Sequence, residues 1–379
     1  MLTRDSAYTF GYLVVLGLGV LTTAIAFRPF GALTLEWIAG AMLALGWGSS
    51  AVGLLAPRLS SDIWSVPVNR TLWPALRCVI LVAIILTLVS LVPVFSDFIG
   101  KTCGLAAEYW GPLVAIGAFR GLSQIMTTLA VRAADHIRTI IIQLIGRIAE
   151  IAFVLHAVTN SSSVQFIMAW AVFPVAQIVF IAARWRYYAR SHRSEAGSRS
   201  HEVGRMATLT IFASSLVDMI LPSLWLRLSN AHTYVIYRAM TAAISNAVLV
   251  PRYWYTVAKV EKSKGGGLIA FTTISSLALS TAYLFVAHQL QQPADFLFLL
   301  PLIVNSLGAT ELSRLRQAAM LAGLVDIPAV AMLIGVTCEA LLLALLAYLA
   351  PGPVAILAFS SMLVNFIAMR HLARARGLS

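Results

Sequence analysis

The chain reads as long apolar runs separated by short polar breaks. The runs fall at 8–27, 34–55, 75–95, 106–131, 139–158, 164–183, 207–226, 234–257, 267–287, 294–312, 327–349 and 353–370. A helix needs about 20 apolar residues to cross the hydrocarbon of a bilayer, so the pattern predicts twelve transmembrane helices. The tenth is interrupted by Pro301 and Asn305, and the turn Ala350-Pro351-Gly352-Pro353 joins the last two. The longest polar break, 184–206, lies between the sixth and seventh runs. A middle loop that divides six helices from six is what two lobes related by an axis along the membrane normal would give. The expected fold class is therefore an all-α polytopic membrane protein, with two six-helix lobes (1–183 and 207–379) around a central cavity and a cytoplasmic linker at 184–206. No convincing internal repeat accompanies this division. The break at 258–266 leads into Lys264-Gly265-Gly266-Gly267. With no strand before it, this is a joint and not a phosphate cradle.

Composition agrees. Of 379 residues, 60% are apolar and 11% charged, and mean hydropathy is +0.86. Soluble domains run nearer about 45–50% apolar and about 25% charged. Twelve spans would use about 240 residues, leaving little for an extramembrane domain. Cys78, Cys103 and Cys338 are too scattered for a disulfide framework or a metal site. No cofactor or metal is expected.

The net charge of +12 first suggests nucleic acid, but the positions of the charges give another reason for it. Nineteen Lys and Arg fall in alternate breaks and at both ends, from Arg4 through Arg58, Arg132, Arg184, Lys259 and Arg314 to Arg376. The opposite breaks hold only Arg28, Lys101 and Arg227. Cytoplasmic loops concentrate positive charge, so both termini are expected in the cytoplasm of a bacterial inner membrane. The basic loops then face anionic lipid, and nucleic-acid binding is not expected. Arg4, an apolar run and Ala24-Ile25-Ala26 also resemble a signal peptide. The run is long for one, and cleavage would break the alternation of charge.

Ionisable residues inside spans are costly and mark candidate sites. Arg77 and Arg252 lie close enough to span ends to snorkel. Arg120 is near the middle of its span, with Gln124 one turn on. Arg147 shares a polar stripe with Gln143 and Glu150, and Arg147 and Glu150 could simply neutralise each other. Arg238 follows Tyr234 and Tyr237 and could be an interfacial anchor or a cavity residue. Arginine grips diphosphate through its planar fork, so Arg120, Gln124, Gln143, Arg147, Tyr237 and Arg238 are candidate binders of an anionic substrate. Among the acids, Asp218 sits mid-span behind Ser214 and Ser215. A carboxylate buried there can take up a proton near neutrality, or pair structurally with a membrane arginine. Asp218, Glu150 and Glu339 are the candidate coupling-ion residues, for H+ or Na+. Glu36, Glu108 and Asp295 lie toward outer ends and read as solvated. The histidines lie mostly at span ends.

No nucleophile–base or metal-ligand spacing competes with transport. Lipid-linked glycosyltransferases, polymerases and ligases usually carry a sizeable outer loop, and this chain has no room for one. It is not expected to be an enzyme.

Ala26-Phe27-Arg28-Pro29-Phe30-Gly31 closes the first span, and Gly53-Leu54-Leu55-Ala56-Pro57-Arg58-Leu59-Ser60 closes the second. The segment from Phe119 to Leu155, and Asp218 followed by Tyr234-Val235-Ile236-Tyr237-Arg238-Ala239, complete the pattern. It resembles the polysaccharide flippases of the MOP superfamily (Wzx-type). That resemblance implies a V-shaped two-lobe bundle that flips an undecaprenyl-diphosphate-linked oligosaccharide by alternating access, driven by H+ or Na+. It also implies working partners in polymerase or glycosyltransferase machinery. A MATE-like drug/cation antiporter is the alternative, and it predicts a site led by acids and aromatics. An integral membrane enzyme acting on lipid or sugar is a further alternative.

Overall fold

The computed structural model describes residues 4–26, 34–55, 105–132, 135–184, 201–228, 230–235, 326–349 and 361–377. It also describes scattered positions within 77–97 and 270–288 and at 186, 187, 238, 312 and 315. Among the described residues every regular element is helical: α1 (Arg4–Ala26), α2 (Leu35–Leu55), α3 (Ala107–Arg132), α4 (His136–Thr159), α5 (Ser163–Ala183), α6 (His201–Leu228), α7 (Asp326–Leu349) and α8 (Ser361–Ala375). Most of the predicted helix at 234–257, most of that at 294–312, the 258–266 joint and Tyr237 lie outside the described residues. So do Arg28–Gly31 and Ala56–Ser60.

Two boundaries differ from expectation. α6 begins at His201, so the end of the segment read as a polar linker is helical. α8 runs to Ala375, which places Arg370 and Arg374 on a helix and not in a tail. A basic last turn complements the negative end of the helix dipole.

Four stretches are long and apolar enough to cross a membrane: Thr9–Ala26, Leu35–Leu54, Ile137–Thr159 and Ser163–Ala183. Their outward faces are apolar too. Ile137, Ile141, Ile145 and Ile148 form an exposed stripe along α4. Leu81, Ile84, Ile85 and Leu88, helical residues of the third predicted span, are exposed as well. Water would penalise such faces, whereas lipid tails are as apolar as they are. The chain is a multi-pass membrane protein.

It divides into two compact units, Met1–Met219 and Ile220–Ser379. In the first, α2 and α3 approach backbone to backbone. A methyl group at Gly48 would overlap the carbonyl oxygen of Val114, and one at Gly117 would overlap that of Leu45. At Gly121 a Cβ would lie 2.8 Å from the carbonyl oxygen of Ser49. Small residues permit this approach where no hydrophobic effect drives helices together. α4 and α5 form a tight hairpin. Its turn holds Ser161 at φ 51°, and Ser162 then caps α5 by accepting from the Gln165 N–H at 3.3 Å. In the second unit, Met369 and Ala373 of α8 pack with Ile327 and Ala331 of α7 and with Leu312 and Leu315.

Candidate functional site: a buried arginine–glutamate–arginine cluster

Three of the expected site residues meet in the first unit. Glu150 on α4 is fully buried, at 0% exposure. Its Oε1 accepts from Nη2 of Arg120 on α3 at 3.1 Å, and its Oε2 accepts from Nη1 of Arg147, one turn back on α4, at 2.5 Å. The two arginine side chains are 31% and 24% exposed. One carboxylate therefore neutralises one of two cations, and the cluster keeps a net charge of +1. Burying that charge is costly unless it is paired and hydrogen-bonded.

α5 completes the cluster without contributing a charge. Pro174 interrupts it, and a proline has no N–H for the carbonyl four residues back. That carbonyl belongs to Trp170, and it accepts from Nη2 of Arg120 at 3.5 Å. The Trp170 ring lies 6.0 Å from the same guanidinium. The Phe173 ring centroid is 3.8 Å from Cζ of Arg147, a close cation–π stack. Phe166 supports Trp170 at 4.7 Å, and Trp37 packs on Phe166 at 6.1 Å. Sequence reading found the charges but missed Trp170, Phe173 and Pro174. In an apolar helix they look like ordinary core residues, and only the offset of four between Pro174 and Trp170 was a usable signal.

The other candidates are distributed differently. Gln143 is buried on α4, whereas Gln124 is exposed on α3. Asp218 is exposed on α6. Glu36 and Glu108 are exposed, in the first turns of α2 and α3. Arg238 is half-buried in the second unit. Glu339 on α7 is 5% exposed and accepts from the indole Nε1 of fully buried Trp225 at 2.9 Å. A pair that sequence reading missed, Arg184–Asp135 at 2.7 Å, ties the end of α5 to the start of α4. Among the described residues no group of three His, Cys, Asp or Glu could hold a metal ion.

Fold and site thus define a multi-pass helical membrane protein with a net cationic cluster inside one helical unit. No family model matches the chain, and no curated protein matches its sequence. Solved structures of similar fold include three MATE transporters. A MATE crystallised in complex with Br-NRF is 15% identical, with TM-score 0.49, over 98% of this chain and 96% of its own. An inward-facing multidrug-resistance MATE family transporter of the MOP superfamily is 14% identical, with TM-score 0.46, over 99% and 96%. The MATE transporter ClbM in complex with Rb+ is 14% identical, with TM-score 0.43, over 98% and 91%. Likeness at this level assigns the chain neither a family nor a substrate.

Proposed function

We propose that this protein is a membrane transporter for an anionic, diphosphate-bearing lipid substrate. The reading extends to flipping an undecaprenyl-diphosphate-linked oligosaccharide across the bacterial inner membrane by alternating access between two lobes, with both termini cytoplasmic. The observation that carries it is the Arg120–Glu150–Arg147 cluster. Two guanidiniums share one carboxylate among apolar helices, and the Nε atoms of both arginines are buried without a hydrogen-bond partner among the described residues. A net positive site with spare donors suits an oxyanion. Gln143, on the same helix, and Arg238 are further proposed substrate-binding residues. Asp218 and Glu339 are the proposed coupling-ion residues.

One observation favours a second reading. Glu339 is a buried acid held by an indole, the acid-and-aromatic pairing of a MATE-like antiporter for organic cations. One experiment separates the two. The purified protein is titrated with farnesyl diphosphate and, separately, with tetraphenylphosphonium. The anionic reading expects the diphosphate to bind and Arg120→Ala or Arg147→Ala to weaken it at least about tenfold. Binding of the phosphonium alone, lost in Glu339→Gln, would establish the second reading instead.

A further inference from the structure

The two arginines of the cluster are not equivalent, and the difference follows from which hydrogens each has left. A guanidinium meets an oxyanion bidentately along one of two edges, Nη1–Nη2 or Nε–Nη2. Nη2 belongs to both.

In Arg120 the two Nη2 hydrogens are committed. One goes to Oε1 of Glu150 at 3.1 Å and the other to the carbonyl of Trp170 at 3.5 Å. The second acceptor exists because Pro174 withholds the N–H that would otherwise occupy it. With Nη2 spent, neither edge of Arg120 is intact.

In Arg147 the bond to Glu150 uses Nη1. That leaves the Nε–Nη2 edge whole. The flanking groups close the two faces of the guanidinium. Phe173 covers one face of the guanidinium at 3.8 Å. On α1, a Cβ placed at Gly19 would lie 3.7 Å from Cζ, 3.7 Å from Nη2 and 3.8 Å from Nε. Nearly equal distances to all three atoms put Gly19 over the guanidinium plane and not beyond its edge. The ring already fills one face, so Gly19 lies over the other. The group is held flat between α1 and α5, and its Nε, like that of Arg120, is buried with no hydrogen-bond partner among the described residues. A buried donor left unpaired is rare and costly.

We infer that Arg147 presents the substrate-reading edge, through Nε and Nη2 in the plane set by Gly19 and Phe173. Arg120, anchored by the carbonyl that Pro174 releases, is a positioning residue that holds Glu150. The ligand chemistry is a phosphoryl group offering two oxygens to one edge. This rests on the anionic reading above and deepens it.

The test compares lysine with alanine at each position, using the full-length protein and farnesyl diphosphate as the probe. Lysine keeps the charge but cannot form a bidentate edge. Arg147→Lys is expected to lose at least about tenfold in affinity, close to the loss in Arg147→Ala. Arg120→Lys is expected to stay within about threefold of the parent protein, because a point charge suffices to hold Glu150. In protein labelled at arginine Nε, the probe should move an Nε–H resonance of the parent protein, a readout that requires no variant to fold. If Arg147→Lys binds like the parent, or if no Nε–H resonance moves, the inference is overturned. If Arg147→Ala and Arg120→Ala both bind the probe normally, the anionic reading itself fails.

Discussion

Removing the charge of Glu150 while keeping its shape gives the sharpest test of the cluster. In Glu150→Gln the fully buried carboxylate becomes an amide, and Arg120 and Arg147 lose their shared counter-ion. Breaking a buried ion pair by removing one partner costs about 3–5 kcal/mol. Here the guanidiniums are 31% and 24% exposed, and solvent or headgroup screening reduces the penalty. The glutamine oxygen also still accepts one hydrogen bond. About 2–3 kcal/mol remains by that discount. For a unit of this size, thermal midpoints shift by about 2–4 °C per kcal/mol. Glu150→Gln should therefore melt about 5–10 °C lower than the parent in the same lipid or detergent. Adding Arg120→Gln brings the net charge back to +1 and should recover about half of the loss, so the two substitutions are strongly non-additive. A midpoint unchanged in Glu150→Gln, or simple additivity in the pair, would refute the view that one carboxylate compensates two cations.

Other substitutions probe the packing. Gly48→Ala drives a methyl into the Val114 carbonyl and should cost about 3 kcal/mol, read as a loss of folded protein in size-exclusion yield. Gly17→Ala meets nothing within 4 Å and should be neutral or stabilising by up to about 1 kcal/mol in a thermal melt. Ser161→Gly relieves a left-handed backbone at φ 51° and should raise the melting point by the equivalent of about 1 kcal/mol. Trp225→Phe withdraws the 2.9 Å donor from buried Glu339 and should cost about 1–3 kcal/mol, read in a thermal melt.

Much of the fold was legible because lipid imposes a coarse rule. A backbone in hydrocarbon must satisfy its own hydrogen bonds, so each apolar run of sufficient length becomes a helix. Runs expected at 34–55, 139–158 and 164–183 are helices at Leu35–Leu55, His136–Thr159 and Ser163–Ala183. The rule says nothing about polar termini, and this is where α6 and α8 differ from expectation. Helix pairing was less legible. Hydropathy gives Gly48, Gly117 and Gly121 no partner, and only the close approach of a neighbouring backbone, which a Cβ there would overlap, identifies the seam they form. Spacing placed Arg147 and Glu150 on one turn. That Arg120 joins them across 30 residues of sequence is a tertiary fact.

The cluster also shows why membrane charges should be read together with the helices that carry none. α5 has no ionisable residue within Ser163–Ala183, yet it holds both guanidiniums, one by a carbonyl and one by a ring. A proline inside a helix normally costs about 3 kcal/mol. In α5 that local cost frees an acceptor where a buried cation needs one, so the apparent defect and the charge compensate each other. The same reasoning bears on Pro222 in α6, whose missing N–H faces the carbonyl of Asp218 four residues back. Proline interrupts α3, α5 and α6 alike, and in α5 the carbonyl it releases receives a buried cation carried by another helix.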